Sequence, residues 1–344
     1  MVMQWLNIME GTPGASNVSD DASSTVVGFT GTLAERITAS IDKITTEYLG
    51  AAKPHFVAVG VTMAALAGSY ALWEIGKGVV SYWLAGPLRL GANIKKYGLW
   101  AVVTGANTGI GRVYCLELAA KGYNIVLVSR NQEKLEVTAR EVQDVHHVEA
   151  RVIQVDFATG RLQDYLHVQA QLQGLDIGVL VNNAGIGPED PATPFLDNPP
   201  DAQSCLDQIN VNCASYTMMT RMILPQMVVN RRGIIINISS IAGDDYTPNM
   251  AMYSATKAFS NFFSQALAQE YKSKGIIVQS VMPGPVMTKM VQEKDKKGLA
   301  IVTPEDFVPP ALAQVGLRNA TYGHWKHALY MKRRKMGNWF MSLL

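Results

Sequence analysis

From residue 99 onward the sequence predicts an α/β fold, a doubly wound and mostly parallel sheet, on three observations. Short apolar runs rich in Val, Ile and Leu recur at 99–103, 124–129, 151–155, 177–181, 233–239 and 276–283. The stretches between them carry helical spacing, and strands alternating with helices build parallel sheets by right-handed crossovers. The first run passes directly into a glycine-rich turn, 104–111 (TGANTGIG), and then into a helical pattern through Arg112, Leu116 and Leu118.

Composition bounds the rest. The chain has 344 residues, 48% hydrophobic and 17% charged, enough for one large domain with an appendage. A net charge of +2 provides no basic field for nucleic acid. Cys115, Cys205 and Cys213 show no CxxC spacing and read as reduced thiols; no metal-ligand pattern is visible among them or the six histidines.

Residues 1–31 are rich in Gly, Ser, Thr and Asp and predict disorder; Asn17-Val18-Ser19 is a glycosylation sequon by pattern. The first long apolar run begins too late for a secretory signal, and Glu10, Asp20 and Asp21 argue against a mitochondrial presequence. Leu33, Ile37, Ile41, Ile44 and Tyr48 fall on one helical face. Residues 56–73 carry no charge. At ~1.5 Å per residue this run spans ~27 Å, close to a ~30 Å hydrocarbon core. A second stretch, 79–84 with Tyr82 and Trp83, reads as an interfacial collar. A membrane-anchor helix is the favoured reading, because the sheet needs no such helix; a buried helix of a soluble protein is the alternative. Lys77, Arg89, Lys95 and Lys96 after the run outnumber Arg36, Lys43 and Lys53 before it, which puts the following domain on the cytosolic side. The expected division is an extension (1–54), an anchor with its interfacial segment (55–90), a catalytic domain (97–330) and a tail (331–344).

A strand, a glycine turn and a helix in that order suit a dinucleotide pyrophosphate, with backbone at Gly105, Asn107, Thr108, Gly109, Ile110 and Gly111 close to the phosphates. An NAD site places an acidic residue at the end of the second strand; here stand Ser129 and Arg130. A guanidinium pairs with a 2′-phosphate in a forked geometry, which favours NADP(H). Tyr253 and Lys257 are four apart in a helical stretch, 249–273, and so share a face. An ammonium held near a phenol favours the phenolate and brings its acidity towards neutral pH. Thr303-Pro304-Glu305-Asp306 has the form of a helix start that Pro309-Pro310 then interrupts, leaving a short or broken cap over the substrate. Lys289, Lys294, Lys296 and Lys297 read as a solvated face, or as contacts to substrate phosphates.

The glycine turn, then Asn182-Asn183-Ala184-Gly185, then Tyr253-Ser254-Ala255-Thr256-Lys257, then Pro283-Gly284 occur in the order of the short-chain dehydrogenase/reductase family, which the chain resembles over 97–329. The resemblance implies a Rossmann-type fold, with Asp156 beside the adenine and Asn183 and Gly185 near the ribose. Tyr253 and Lys257 also touch the cofactor, and Pro283, Val286 and Thr288 meet its carboxamide. It implies that Tyr253 gives the proton while hydride passes to a carbonyl carbon. Ser240, thirteen positions before Tyr253, polarises the carbonyl, with Ser239 ranked below it. Asn210 supports a water-linked proton path to Lys257, with Asn212 the competing candidate.

The apolar N-terminal run, SRNQEKL, the YSATK helix and TYGHWKHAL resemble one branch of that family. It holds membrane-bound 17β-hydroxysteroid dehydrogenases and very-long-chain 3-oxoacyl-CoA reductases. This implies an endoplasmic reticulum membrane, a lipid-like carbonyl substrate (3-oxoacyl-CoA or ketosteroid) and, by analogy, a homodimer through the helices after Asp201 and Asn249. Two departures are the missing C-terminal dilysine and the long N-terminal extension. The expected reaction is NADPH-dependent reduction of a ketone on a long apolar substrate of the 3-oxoacyl-CoA type. A 17β-hydroxysteroid dehydrogenase is the alternative within the class. A non-catalytic membrane scaffold is the alternative outside it, opposed by the intact Ser240, Tyr253 and Lys257.

Overall fold

The computed structural model describes residues 35–36, 38–43, 46, 53–187, 194–195, 202–288 and 300–342, with side chains to residue 337. The compositional reading of 1–31, its sequon, part of the helical face at 33–48 and the lysines of 289–297 lie outside the described residues. Backbone contacts group the chain into a unit ending at Glu74 and a unit from Ile75 to Leu344.

The first unit holds most of helix α1 (Lys53–Val79). Phe56, Val61, Leu66, Tyr70 and Leu72 are exposed along it. The helix continues into a π-helical turn, Val80–Leu84, so the expected anchor and collar form one element. Its apolar span, Pro54–Leu84, has 31 residues and a best-window mean hydropathy of 1.6. At ~1.5 Å per residue that is ~46 Å, longer than a hydrocarbon core requires. None of that window is buried, unlike a helix of a soluble core.

The second unit is a parallel sheet of seven strands in the order β3-β2-β1-β4-β5-β6-β7. The strands are β1 (Trp100–Thr104), β2 (Asn124–Ser129), β3 (Ala150–Gln154), β4 (Ile177–Asn182), β5 (Gly233–Ile238), β6 (Ile276–Val281) and the two-residue β7 (Ala320–Thr321). Every ladder between them is parallel. The period of two along β1 decides the layers. Ala101 and Val103 face a core shared with α2 (Gly109–Ala119), α3 (Gln132–His146) and α8 (Pro304–Ala313). Trp100 and Val102 face another core, shared with α4 (Leu162–Leu172), α6 (Ser215–Val229) and α7 (Ala251–Glu270). Between α4 and α6 lies α5 (Ala202–Ile209), and α9 (Trp325–Ser342) closes the described chain.

Strand order reverses between β1 and β4, which opens a crevice at their carboxyl ends, the usual ligand position in such sheets. Asn131 caps α3 and Thr303 caps α8 through side-chain oxygens. Pro309 and Pro310 do not break α8, contrary to expectation. Each removes one bond to a carbonyl in the exposed first turn (Glu305, Asp306), where water serves instead. Buried Phe307, Val308, Ala311 and Leu312 hold the helix against the sheet layer.

The connector after α1 is built into the second unit. Arg318 Nε donates to the Ser81 hydroxyl at 2.8 Å and its Nη2 to the Lys77 carbonyl at 3.2 Å. Ala92 N–H donates to the Val315 carbonyl at 2.7 Å. Gly91 is required there, since a Cβ would stand 2.4 Å from the Ala313 carbonyl oxygen.

Candidate active site

The glycine turn leaves β1 with Gly105 at φ +63° and enters α2 with Gly109 at φ +57°, both left-handed. At Gly111 a Cβ would lie 2.3 Å from the Gly105 carbonyl oxygen, so the turn closes on the helix with no side chain between. Thr108 makes no side-chain capping bond, which leaves the first N–H groups of α2 facing the crevice mouth. Asn183 holds the turn: its Nδ2 donates to the Thr104 carbonyl at 2.9 Å and to that of Gly105 at 3.2 Å. The Thr104 hydroxyl accepts from the N–H groups of Asn183 and Ala184. Asn182 ties β4 to β5, donating to Asn237 Oδ1 at 2.8 Å. This backbone cradle, which side chains would fill, fits a dinucleotide pyrophosphate.

A cavity of about 560 Å³ opens at the ends of β2 and β3, lined by Arg130, Gln154, Asp156, Arg161, Asp164 and His167 among others. Arg130 is exposed, and Ser129 is half-buried. Asp156 caps the turn Phe157–Thr159 by accepting from Ala158 N–H at 3.0 Å. Arg130 and Asp156, far apart in sequence, thus share one wall. Among the described residues no cluster of His, Cys, Asp and Glu could hold a metal ion, and the three cysteines are free thiols.

Tyr253, Lys257 and Ser240 meet at the carboxyl end of β5. The Tyr253 hydroxyl is hydrogen bonded to the Ser240 side chain. The Ser240 hydroxyl also accepts from Ala242 N–H at 3.1 Å. Lys257 is 3% exposed, and its Nζ donates to the Ile238 carbonyl at 2.9 Å. The Tyr216 hydroxyl donates to the same carbonyl. Ser239 points elsewhere, and its hydroxyl donates to the Lys257 carbonyl at 2.6 Å, fixing α7 against β5.

Burial lowers the Lys257 ammonium from 10.5 to about 8, so it is still cationic at pH 7. The expected lowering of the Tyr253 phenol is not found. Burial raises it, opposed by the Ser240 hydrogen bond, while the ammonium is turned to Ile238 with Nζ 5.8 Å from the Tyr253 ring centre.

The two asparagines separate clearly. Asn210 Nδ2 donates to the Ala158 carbonyl at 2.9 Å and packs beside Gly160. The structure therefore does not bring Asn210 to the Tyr253–Lys257 pair. Asn212 is fully buried, bonded to both backbone groups of Ile186 and, at 3.0 Å, to the Thr256 hydroxyl. Cβ positions explain Gly185, where a side chain would stand 3.2 Å from Lys257 Nζ and 3.4 Å from Asn212 Oδ1. A π-helical turn, Asn210–Ala214, sets these faces, and sequence spacing alone does not reveal it.

Pro283 accepts from Ile241 N–H at 3.0 Å, which joins this segment to the turn after Ser240. Val286 bridges to Val302, and the Thr288 methyl lies 2.9 Å from a Cβ placed on Gly109. His327 joins this region without any expectation from the sequence. It is buried with Nε2 3.3 Å from the Pro285 carbonyl oxygen, and a Cβ on Gly284 would meet its ring at 2.8 Å. Burial lowers its imidazole to about 4, keeping it neutral. The only signal for it is a histidine in an apolar helix start, which equally suits any core position.

The sequence model of the short chain dehydrogenase family matches residues 99–298. A very-long-chain 3-oxoacyl-CoA reductase of Anas platyrhynchos is 45% identical over 281 residues, covering 81% of this chain and 83% of that one. Hydroxysteroid dehydrogenase-like protein 1 of Gallus gallus is 41% identical, covering 69% of this chain and 71% of its own. A solved short-chain dehydrogenase from Sphingobium yanoikuyae in complex with NADPH superposes with TM-score 0.59 at 27% identity, covering 72% of this chain and 96% of that one.

Proposed function

This chain belongs to the short chain dehydrogenase family, and from that premise we propose that it is an NADPH-dependent reductase of 3-oxoacyl-CoA thioesters with long acyl chains. It is an NAD(P)-dependent oxidoreductase, and the substrate is carried over from the Anas platyrhynchos relative. The observation that carries catalysis is the convergence of Ser240, Tyr253 and Lys257 beside the glycine cradle.

The residues that would hold the dinucleotide are Gly105 to Gly111 at the pyrophosphate, Ser129 and Arg130 at the 2′-phosphate and Asp156 at the adenine. Asn183, Gly185, Tyr253 and Lys257 serve the ribose, and Pro283, Val286 and Thr288 the carboxamide. When bound, the nicotinamide supplies the hydride. Ser240 donates a hydrogen bond to the ketone oxygen, and Tyr253 gives that oxygen its proton. Lys257, cationic at neutral pH, favours loss of the phenolic proton once it turns from Ile238 towards the ribose. Of the two asparagines we assign the support of Lys257 to Asn212 rather than Asn210, and the bond from Asn212 to Thr256, the preceding residue, supports this.

We read 1–54 as an extension, 55–90 as an anchor crossing the endoplasmic reticulum membrane, 97–330 as a cytosolic catalytic domain and 331–344 as a tail. Support for the anchor is the exposed apolar helix of Pro54–Leu84. A homodimer through α5 and α7 is supported by exposed Leu206, Ile209, Phe259 and Phe262 on those helices. The test is NADPH oxidation by detergent-solubilised protein with 3-oxoacyl-CoAs of increasing chain length and with 17-ketosteroids. Turnover of the steroids alone would reassign the substrate, and turnover of neither would favour the scaffold.

A further inference from the structure

Helix α9 has two unlike faces. The inward face is fastened to the domain: Met331 and His327 are buried, Arg334 pairs with Asp245 at 3.0 Å, and Lys335 pairs with Asp244 at 2.7 Å. The outward face carries Trp325, Leu329, Lys332 and Met336, which fall within one stripe at helical spacing, with Arg333 at its border. Leu329 is exposed by 52% and Met336 by 60%. The helix contains five Lys and Arg and no acidic residue. An apolar stripe edged by cations is the pattern of a helix lying in a lipid interface.

The stripe is continuous with the end of the apolar span. Trp83 packs on Trp325 with ring centres 5.8 Å apart, and Leu84 and Leu88 beside it in sequence are exposed. Arg318 fastens Ser81, two residues before Trp83, to the same unit. The start of α9 is therefore held against the residues at the carboxyl end of that span.

We propose that the outward stripe of α9 rests on the membrane surface, with Lys332 and Arg333 on anionic lipid headgroups, as a second lipid contact apart from the spanning helix. This rests on the reading of Pro54–Leu84 as a membrane span. The cations of this face fit an anionic lipid better than a second copy of this chain, whose α9 would present the same positive charge.

The test uses the full chain in nanodiscs of phosphatidylcholine, with or without phosphatidylserine. Cys205 and Cys213 are replaced by Ser, and single environment-sensitive dyes are placed through Leu329→Cys, Leu66→Cys and, as an aqueous control, Val145→Cys. The Leu329 dye should be quenched by spin labels at headgroup depth, more strongly with phosphatidylserine. K332Q and R333Q should each lower the docked-to-undocked ratio about fivefold in phosphatidylserine and little without it. A quenched Leu66 dye with a water-like Leu329 dye would overturn the proposal and leave the span standing. A Leu329 dye shielded from water yet untouched by lipid spin labels would assign the stripe to a protein partner and also overturn it. A water-like Leu66 dye would remove the span and the proposal together.

Discussion

Asn212 Nδ2 donates to the Thr256 hydroxyl at 3.0 Å, and Thr256 immediately precedes Lys257 on α7. One buried amide thus links the helix after β4 to the helix that carries the proton donor. Asn212→Ala should lower kcat by one to two orders of magnitude. It should also cost roughly 1–3 kcal/mol of stability by leaving the Ile186 backbone groups unpaired. Asn210→Ala, which loses a bond to Ala158 only, should leave kcat within a few-fold. Steady-state kinetics on both variants decides between them.

Tyr253→Phe keeps the ring and removes the only proposed proton donor. Turnover should fall ~100- to 10,000-fold, while NADPH affinity measured by fluorescence titration stays near that of the parent. Ser240→Ala should lower turnover by a smaller factor. Ser239→Ala acts through the α7–β5 contact and should show mainly in thermal stability.

Lys257 makes a pH-dependent contribution to stability. Its folded value, about 8, lies below its ordinary 10.5, so between these limits the unfolded chain binds the extra proton. Stability therefore rises with pH from about 8 towards 10.5, and below about 8 the full cost of the buried cation is present. The inactive Lys257→Met variant should be the more resistant to denaturant at pH 7, with the difference shrinking as pH climbs through that window. Denaturation midpoints of both proteins across pH 7 to 10 test this sign.

Arg130→Ala should weaken NADPH binding roughly 10- to 100-fold, the scale of one charge-assisted bond to phosphate. NADH, which has no 2′-phosphate, should bind almost as before. Equal losses for both nucleotides would remove Arg130 from the site.

Gly111→Ala places a methyl 2.3 Å from the Gly105 carbonyl oxygen, in backbone that cannot give way. The cradle should open and nucleotide binding should fail. The melting temperature should drop by an amount matching ~1–3 kcal/mol of overpacking. Calorimetry with and without NADPH separates the two losses.

The strands, the glycine turn and the pairing of Tyr253 with Lys257 are legible in the sequence because each is set by local periodicity or by residues four apart. That Arg130 and Asp156 line one cavity follows from the topology, since a parallel sheet brings strand ends to one edge. What escapes depends on helix phase and on packing from afar. The family resemblance that points to Asn210 before Asn212 carries no helix phase, and nothing in QINVNCAS marks the wide turn that sets their faces. The persistence of α8 through Pro309-Pro310 reflects four buried side chains outweighing two lost bonds, a balance that local propensity does not contain. His327 belongs to the site region only because β7 and the turn after it return the chain to Pro285.

The wide turn at Asn210–Ala214 also makes the helix a matter of counting. A π turn holds one residue more than the α turn it replaces, so removing any one residue there would let the helix relax to regular form. The flanking segments would keep their faces, because the extra residue is taken up within the turn itself. Tyr216 and Met219 would hold their places in the core, while Asn212, inside the turn, would be carried round the axis and away from Ile186 and Thr256. A single-codon deletion here should therefore spare the fold more than the catalysis, a split that a melting curve and kcat would read.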